Sequence, residues 1–466
     1  MRFINRKQEL EALDKFWKDK SSQLVVIYGK RRVGKTELIK RFIQAKPAAY
    51  FLARMISEKE NLFSLGQAIG DLFNDITLKK RGFEKWDEVF HYLKERAGDK
   101  KPGRFILAID EFPYLAEANK GISSIFQAGW DEYLKDMPIY LILCGSSIGM
   151  MEDEVLAYKA PLYGRRTGQL FIKPLSYLQA RHFFPQYNFE EALKAYSVTG
   201  GMPAYILKLI GYPSLEKAVE EEIFTREKIL YEEIEFILKE ELREPRNYFS
   251  VLKAIGYDRT KVSEIINETG LEKSALHNYL FVLEDLHLIE KQVPITEKNP
   301  GASRKGRYYL KDQFFKFWFN YCFPFMGELE LGNKLPSLKA FKDSFEYIVA
   351  RNYEKVSQEV LHQYQDKIFI LHRVGRWWDK NEEIDIVALN ETTNEILFGE
   401  VKWSKKEVGT NIYEDLKRKS QKVEWGRKDR KEYFCLFSKS GFTPRMKWVA
   451  KEERVFLFEK DKVIQH

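Results

Sequence analysis

The chain has 466 residues, 44% hydrophobic and 31% charged, with 77 Lys and Arg against 69 Asp and Glu for a net charge of +8. At about 150 residues per domain this length predicts roughly three domains; the composition excludes a disordered chain, and the charge excess admits a nucleic-acid partner without requiring one. Cys144, Cys322 and Cys435 are odd in number and far apart, and the histidines are scattered, which excludes a disulfide framework or a spaced zinc site and fits a reducing compartment.

The opening segment MRFINRKQEL lacks the apolar stretch of a signal peptide, and no uninterrupted apolar run of about 18 residues follows, so a cytoplasmic protein without a membrane span is expected. Residues 24–28, LVVIY, read as a buried strand, and GKRRVGKT at 29–36 fits the phosphate-binding pattern G-x-x-x-x-G-K-[ST]. Gly29 and Gly34 let the backbone turn its N–H groups toward phosphate at the start of the next helix. Lys35 is expected on the β/γ-phosphates of ATP and the Thr36 hydroxyl on Mg²⁺. The periodic segment ELIKRFIQA then reads as a helix. RFILAIDEF (104–112) and IYLILCGSS (139–147) are two more buried strands, so strands alternate with helices and a parallel sheet is expected. Asp110 ends the first of them, where it can hold the hydration shell of Mg²⁺, and Glu111 can polarise the attacking water.

MRFINRKQEL, the phosphate loop, AIDEF, LCGSSIGMMEDEVL, APLYGRRTGQLFIKPLS and TGGMPAYI together resemble the archaeal ATPases of the AAA+/STAND group over about residues 1–235. The resemblance implies that Phe3, Ile4, Asn5 and Arg6 lie near the adenine end. It also implies that Ser146 is a sensor near the γ-phosphate and that GGMP (200–203) belongs to a helical lid. Arg165 and Arg166 would supply a catalytic arginine in trans if the chain forms a homo-oligomer.

From about 175 to 240 the pattern is helical, and Pro245 marks a boundary. Residues 260–295 read as helix, turn at Gly270, helix and strand, followed by a basic loop and a second strand: a winged-helix pattern. Leu276, Leu280, Leu283 and Leu286 would face inward. Lys273, Ser274, His277 and Asn278 would face out toward a DNA groove, with Arg304, Lys305 and Arg307 of the wing on phosphate. Glu272, Glu284 and Asp285 oppose that contact, and a packing role for the module stays open. MGELELGNKLPS (326–337) reads as a linker.

Near the end, IDIVAL and ILFGEVKW flank the turn cluster NETTNE. A hairpin centred between Thr392 and Thr393 pairs Leu389 with Ile396 and Asp385 with Glu400, and strand period puts Lys402 on the face of Glu400. Two opposed acids repel and call for a cation. The arrangement resembles the PD-(D/E)xK nuclease core over about residues 340–440, with Ile384 where a Pro is usual. The resemblance implies Mg²⁺ or Mn²⁺ on Asp385 and Glu400, catalysis by Lys402, and a further acid, Glu346, from the helix at 345–356. DKK at 99–101, DLK at 415–417 and DRK at 429–431 lack an apolar strand context. Residues 402–431 carry 11 Lys and Arg against 5 Asp and Glu, a net +6 beside the proposed site. Trp377, Trp378 and Trp403 are expected in the core rather than on bases.

The fold expected is α/β and multidomain. It comprises a P-loop ATPase core (1–175), a helical lid (176–245), a winged helix (246–325) and a restriction-endonuclease-like domain (338–466). The function expected is an ATPase coupled to a metal-dependent nuclease acting on nucleic acid, DNA above RNA. The alternative is a nucleotide-dependent switch whose last domain is a non-catalytic binding scaffold.

Overall fold

A computed structural model describes residues 3–97, 103–242 and 244–465, which leaves the DKK tripeptide at 99–101 outside the described residues. The chain divides into two compact units, Met1–Pro174 with Met202–Ala204, and Leu175–Gly201 with Tyr205–His466.

The first unit is built on five parallel strands: β1 (Gln23–Tyr28), β2 (Ala48–Leu52), β3 (Phe105–Asp110), β4 (Ile139–Gly145) and β5 (Gly168–Phe171), in the order β2-β3-β4-β1-β5. Strands β3 and β4 are buried along their whole length, which is why they read as continuous apolar runs rather than alternating ones. Leu65, Ile69, Phe90, Leu107 and Phe126 share one apolar cluster on the sheet. Because β4 lies between β1 and β3, the carboxyl ends of these three strands stand side by side. A crevice at such a crossover is where open α/β sheets bind ligands.

The second unit contains a six-stranded mixed sheet: β8 (Arg373–Asp379), β9 (Glu382–Asn390), β10 (Glu395–Lys402), β11 (Lys431–Ser438), β12 (Phe456–Glu459) and β13 (Lys462–Gln465), in the order β13-β12-β11-β10-β9-β8. β8, β9 and β10 run antiparallel as a meander, whereas β10 to β11 and β11 to β12 are parallel and joined through helices Thr410–Ser420 and Pro444–Glu453. The turn between β9 and β10 is fixed by Asn390, whose Oδ1 accepts from the amides of Thr392 and Thr393 at 3.0 and 3.1 Å. The pairing of Ile396 with Leu389 and of Gly399 with Ile386 follows the register that the turn centre predicts.

The segments upstream of this sheet share its unit through aromatic packing. The helix Gln313–Tyr321 buries Phe314, Phe315, Phe317, Trp318, Phe319 and Tyr321. Phe317 lies 5.6 and 5.8 Å from Phe341 and Phe345 on the 28-residue helix Leu335–His362. Phe189, from the segment read as a lid, packs 5.7 Å from Tyr353 of that same helix. The stretch expected as a linker is therefore largely helical: Met326–Glu330 is a short helix, and Leu335 opens the long one with Pro336 in its first turn.

Helices Val262–Thr269 and Lys273–Asp285 meet through buried Leu276, Leu280 and Leu283, and β6 (Ile289–Gln292) pairs antiparallel with β7 (Arg307–Leu310). Lys273, Ser274, His277 and Asn278 are exposed. The hairpin is not free to reach phosphate along its whole length. Arg307 pairs with Glu383 of β9 at 3.2 Å and lies 4.6 Å over the ring of Trp378, while Lys305 pairs with Glu297 at 3.2 Å. Among the described residues no helix is long and apolar enough to cross a membrane.

Trp318 is fully buried and its Nε1 donates to the Tyr231 carbonyl at 2.7 Å. Trp318→Ala is expected to cost about 3–5 kcal/mol, read as a lowered thermal midpoint for the transition that unfolds the second unit.

Candidate functional site

In the first unit, β1 runs into Gly29 at φ 148°, where a Cβ would collide with the carbonyl oxygen of Ile172, so only glycine fits. Gly34, at φ 95°, is the left-handed cap of helix Lys35–Ile43, so the N-terminus of that helix follows directly on the loop. Pro203 of the GGMP segment stands beside Gly34. Lys35 is buried and its Nζ donates to the carbonyls of Gly29 and Lys30 at 2.8 and 3.0 Å, closing the loop on itself. Arg6 is also buried; its Nη2 donates to the Val33 carbonyl at 2.8 Å and its Nη1 pairs with Glu9. Asn5 and Arg6 both hold left-handed backbone at the start of the chain's first helix.

Asp110, fully buried, ends β3 and gathers the polar groups of the site. Its Oδ2 accepts from Thr36 Oγ1 at 2.7 Å and from Tyr50 OH at 2.8 Å, and its Oδ1 accepts from the Glu111 amide at 3.0 Å. Tyr50 is absent from the sequence-based site. It lies inside an apolar strand, and only the pairing of β2 with β3 brings it near Asp110. Burial, and then Asp110, raise the Tyr50 hydroxyl far above its ordinary range, so it acts as a donor. Glu111 takes left-handed backbone at φ 55° and caps the next helix. Ser146, just past β4, donates to it twice, from Oγ at 2.5 Å and from its amide at 3.2 Å.

Arg165 and Arg166 follow a different pattern. Arg165 forms an ion pair with Asp131 at 3.0 Å and is held within its own unit. Arg166 lies 4.8 Å over the Tyr163 ring, and its Nη1 is buried without a hydrogen-bond partner.

In the second unit, the β9–β10 ladder ends at Gly399 opposite Ile386. There the side chain of Asp385 takes over from the backbone: its Oδ2 accepts from the Val401 amide at 3.0 Å. Glu400 is 7% exposed; its Oε1 lies 2.7 Å from Lys402 Nζ and 3.5 Å from Lys419 Nζ, and its Oε2 is buried with no partner. Burial, then Asp385, push the Glu400 carboxyl above its ordinary range against the pull of both lysines. Burial disfavours the charge on Lys419, but Glu400 and Asp415 together hold its pKa up.

Glu346 does not join them. Its carboxylate pairs with Lys194 at 2.6 Å and accepts from Trp403 Nε1 at 2.5 Å, and although burial opposes ionisation these partners lower its pKa. The acid that the long helix does bring to Asp385 is Glu354, two turns and about 12 Å further along the helix axis. Burial, then Asp385, push Glu354 up to about 7, with Arg376 at 3.4 Å and Arg351 at 4.0 Å opposing the shift. Sequence offers both acids on one helix, and helical period alone does not say which turn crosses the sheet. Among the described residues no three His, Cys, Asp or Glu side chains form a ready-made metal cage. What the fold assembles is the Asp385 and Glu400 pair with Lys402 and Lys419, and a cation fits the partnerless buried oxygen of Glu400.

The surrounding basic charge is partly neutralised. Arg418 and Lys422 pair with Glu382 at 2.8 and 2.6 Å, Lys417 with Glu453 at 2.7 Å, and Arg430 with Glu432 at 2.7 Å. Lys405, Lys406, Lys428 and Lys431 are exposed. Trp377 and Trp378 are buried, and Trp403 is held between Glu346 and Tyr353 rather than offered to a base.

A family model described as an ATPase domain predominantly from Archaea matches residues 3–209, and another, described as archaeal and bacterial proteins of unknown function, matches residues 318–418. An uncharacterised protein of Methanocaldococcus jannaschii is 37% identical over 444 residues, 94% of this chain and 95% of that protein. A protein of the same organism named as ATP-binding is 52% identical over 44 residues, 9% of this chain and 75% of its own. Among solved structures, the Walker-type ATPase of Pyrococcus abyssi aligns with a TM-score of 0.53 at 21% identity, covering 68% of this chain and 96% of that one, a likeness of fold.

The raised Glu354 carboxyl binds its proton more tightly in the folded than in the unfolded chain, so its contribution to stability is present below about pH 4.5 and is lost as pH rises toward 7. Glu354→Gln is therefore expected to flatten the fall in stability across that window, measured by urea unfolding from pH 4.5 to 8; an unchanged slope would exclude Glu354 as its source.

Proposed function

We propose that this chain, which belongs to one family with the uncharacterised Methanocaldococcus jannaschii protein and carries an ATPase domain of a predominantly archaeal kind over residues 3–209, binds and hydrolyses ATP and couples this to a metal-dependent nuclease-like site acting on nucleic acid, DNA above RNA. In this reading Lys35 exchanges the carbonyls of Gly29 and Lys30 for phosphate oxygens, with Gly29, Gly34 and the helix N-terminus cradling them. Thr36 and Asp110 would hold Mg²⁺, which when bound neutralises charge on the β- and γ-phosphates. Glu111 orients the attacking water. Ser146 now holds the Glu111 carboxylate, so release of that carboxylate is the step that arms the site. Arg6, with Asn5, braces the adenine end of the loop. Of the two arginines, Arg166 is better suited to act across a homo-oligomer interface, since Arg165 is tied to Asp131.

The observation that carries the nuclease half is the buried Glu400 carboxylate, with one oxygen unpartnered and Asp385 beside it. Asp385 and Glu400 would hold Mg²⁺ or Mn²⁺, which supplies an activated water and stabilises charge on a phosphodiester. Lys402 positions the water, Glu354 supplies the further acid, and Lys419 steadies Glu400. The exposed face at Lys273, Ser274, His277 and Asn278 suits DNA. A second reading has one specific support: Lys402 and Lys419 already neutralise Glu400, as in a non-catalytic scaffold under nucleotide control.

Lys35→Ala is expected to reduce ATP hydrolysis to background and Glu111→Gln to slow it about 10²-fold; full hydrolysis by Lys35→Ala would refute the ATPase assignment. On labelled single- and double-stranded DNA with Mg²⁺ or Mn²⁺, with and without ATP, wild type is expected to cut. Asp385→Ala and Lys402→Ala should lose about 10²-fold or more, while Glu346→Ala should retain activity. Absence of cleavage in every condition selects the scaffold reading.

A further inference from the structure

A cavity of about 270 Å³ lies within the second unit, walled by the helix Leu335–His362, by β8 and by the β6–β7 hairpin with the helix that follows it. Two N–H donors in its walls have no acceptor. Asn352, 2% exposed, has a buried Nδ2 without a partner; Arg376, whose side chain is 10% exposed, has a buried Nε without one. Folded proteins rarely leave such donors unmatched. Arg376 is fixed at its far end, where its Nη2 meets Glu354 at 3.4 Å and also Glu383. Its Nε–H direction is thus set before any ligand arrives.

Four cationic side chains line the cavity: Lys316, Arg351, Lys355 and Arg376. Lys316 is spent on Asp258 at 2.7 Å and Lys355 is partnered by Glu290 at 3.5 Å. The two arginines share one carboxylate, Glu354, at 4.0 Å from Arg351 and 3.4 Å from Arg376, and Arg376 also meets Glu383. Fixed guanidinium donors and a neutral amide donor suit an acceptor-only ligand with several oxygens in different directions. The cavity is small for a drug-sized molecule but admits a phosphate with part of a sugar.

We propose that this cavity is a binding site for a phosphate monoester, seated on Asn352 Nδ2, Arg376 Nε and the Arg351 guanidinium. Its lining residues all belong to the second unit, whereas the phosphate loop belongs to the first, and its binding requires neither ATP hydrolysis nor a metal. The monoester comes either from a free mononucleotide or from the phosphorylated end of a nucleic-acid strand. In both cases the occupant lies beside Glu354 and competes with it for the two arginines.

The test is calorimetric titration of the full chain carrying Lys35→Ala, to silence the phosphate loop, in EDTA. The probes are inorganic phosphate, AMP, a 5′-phosphorylated oligothymidylate and its 5′-hydroxyl counterpart. At least one phosphorylated probe is expected to bind with one-to-one stoichiometry and the 5′-hydroxyl strand to bind more weakly. Asn352→Leu and Arg376→Lys, the latter keeping the charge while losing Nε, should each weaken binding about tenfold. Preference for AMP assigns a free nucleotide; preference for the phosphorylated strand assigns a strand end. No binding of any phosphorylated probe up to about 1 mM would mean that the cavity holds water only and would overturn the proposal. So would binding left intact by both variants, with circular dichroism confirming that both are folded.

Discussion

A carboxylate that replaces a backbone group at the end of a ladder sets the geometry of the second unit's acidic centre. Asp385 accepts from the Val401 amide, so β9 and β10 stay joined one position past their last regular pair. That one hydrogen bond holds Asp385 beside Glu400, keeps Glu400 turned into the interior, and leaves Lys402 on the same face. The electrostatic consequences follow from the position. Two acids close together in a low-dielectric region resist joint ionisation, and Glu354 from the long helix joins the conflict. Lys402 and Lys419 converge on Glu400 and offset part of that repulsion.

The first unit uses a carboxylate differently. Asp110 is buried and accepts three hydrogen bonds, from Thr36, Tyr50 and the Glu111 amide. It is a fixed post around which the other groups are oriented. Glu111, its neighbour in sequence, is held by side-chain and backbone donors from Ser146 just past the adjacent strand, and its side chain makes no capping bond to the helix that it precedes. The two acids at one strand end thus meet different donors, Asp110 those of Thr36 and Tyr50 and Glu111 those of Ser146.

What was legible in the sequence was what is local. The phosphate loop is contiguous, and its glycines, lysine and threonine need only a strand before and a helix after. The register of the terminal hairpin was legible too, because Asn390 and the residues after it fix the turn and the pairs from Glu395 with Asn390 to Gly399 with Ile386 follow from it, whereas the regular ladder stops short of Asp385 and Glu400. What was not legible depends on how distant elements cross. Glu346 and Glu354 lie on one helix about 80° apart around its axis, and it is the packing of that helix over β9 and β10 that brings Glu354 rather than Glu346 to Asp385. Tyr50 sits in an apolar strand like any core aromatic. Arg307 of the β6–β7 hairpin reads as a phosphate contact until Glu383 and Trp378 are seen beside it.

Gly399 bears no functional group, yet it stands immediately before Glu400. A side chain there would meet Cys435 Sγ at 2.6 Å and Ile386 Cβ at 3.0 Å. The strand is pinned from behind by neighbours with no slack, so even a single methyl at 399 would displace β10 and carry the acid pair out of alignment. The site is therefore as sensitive to volume at a silent position as to chemistry at its charged ones. A Cys435 thiol packed this closely is likewise closed to any modification that adds bulk.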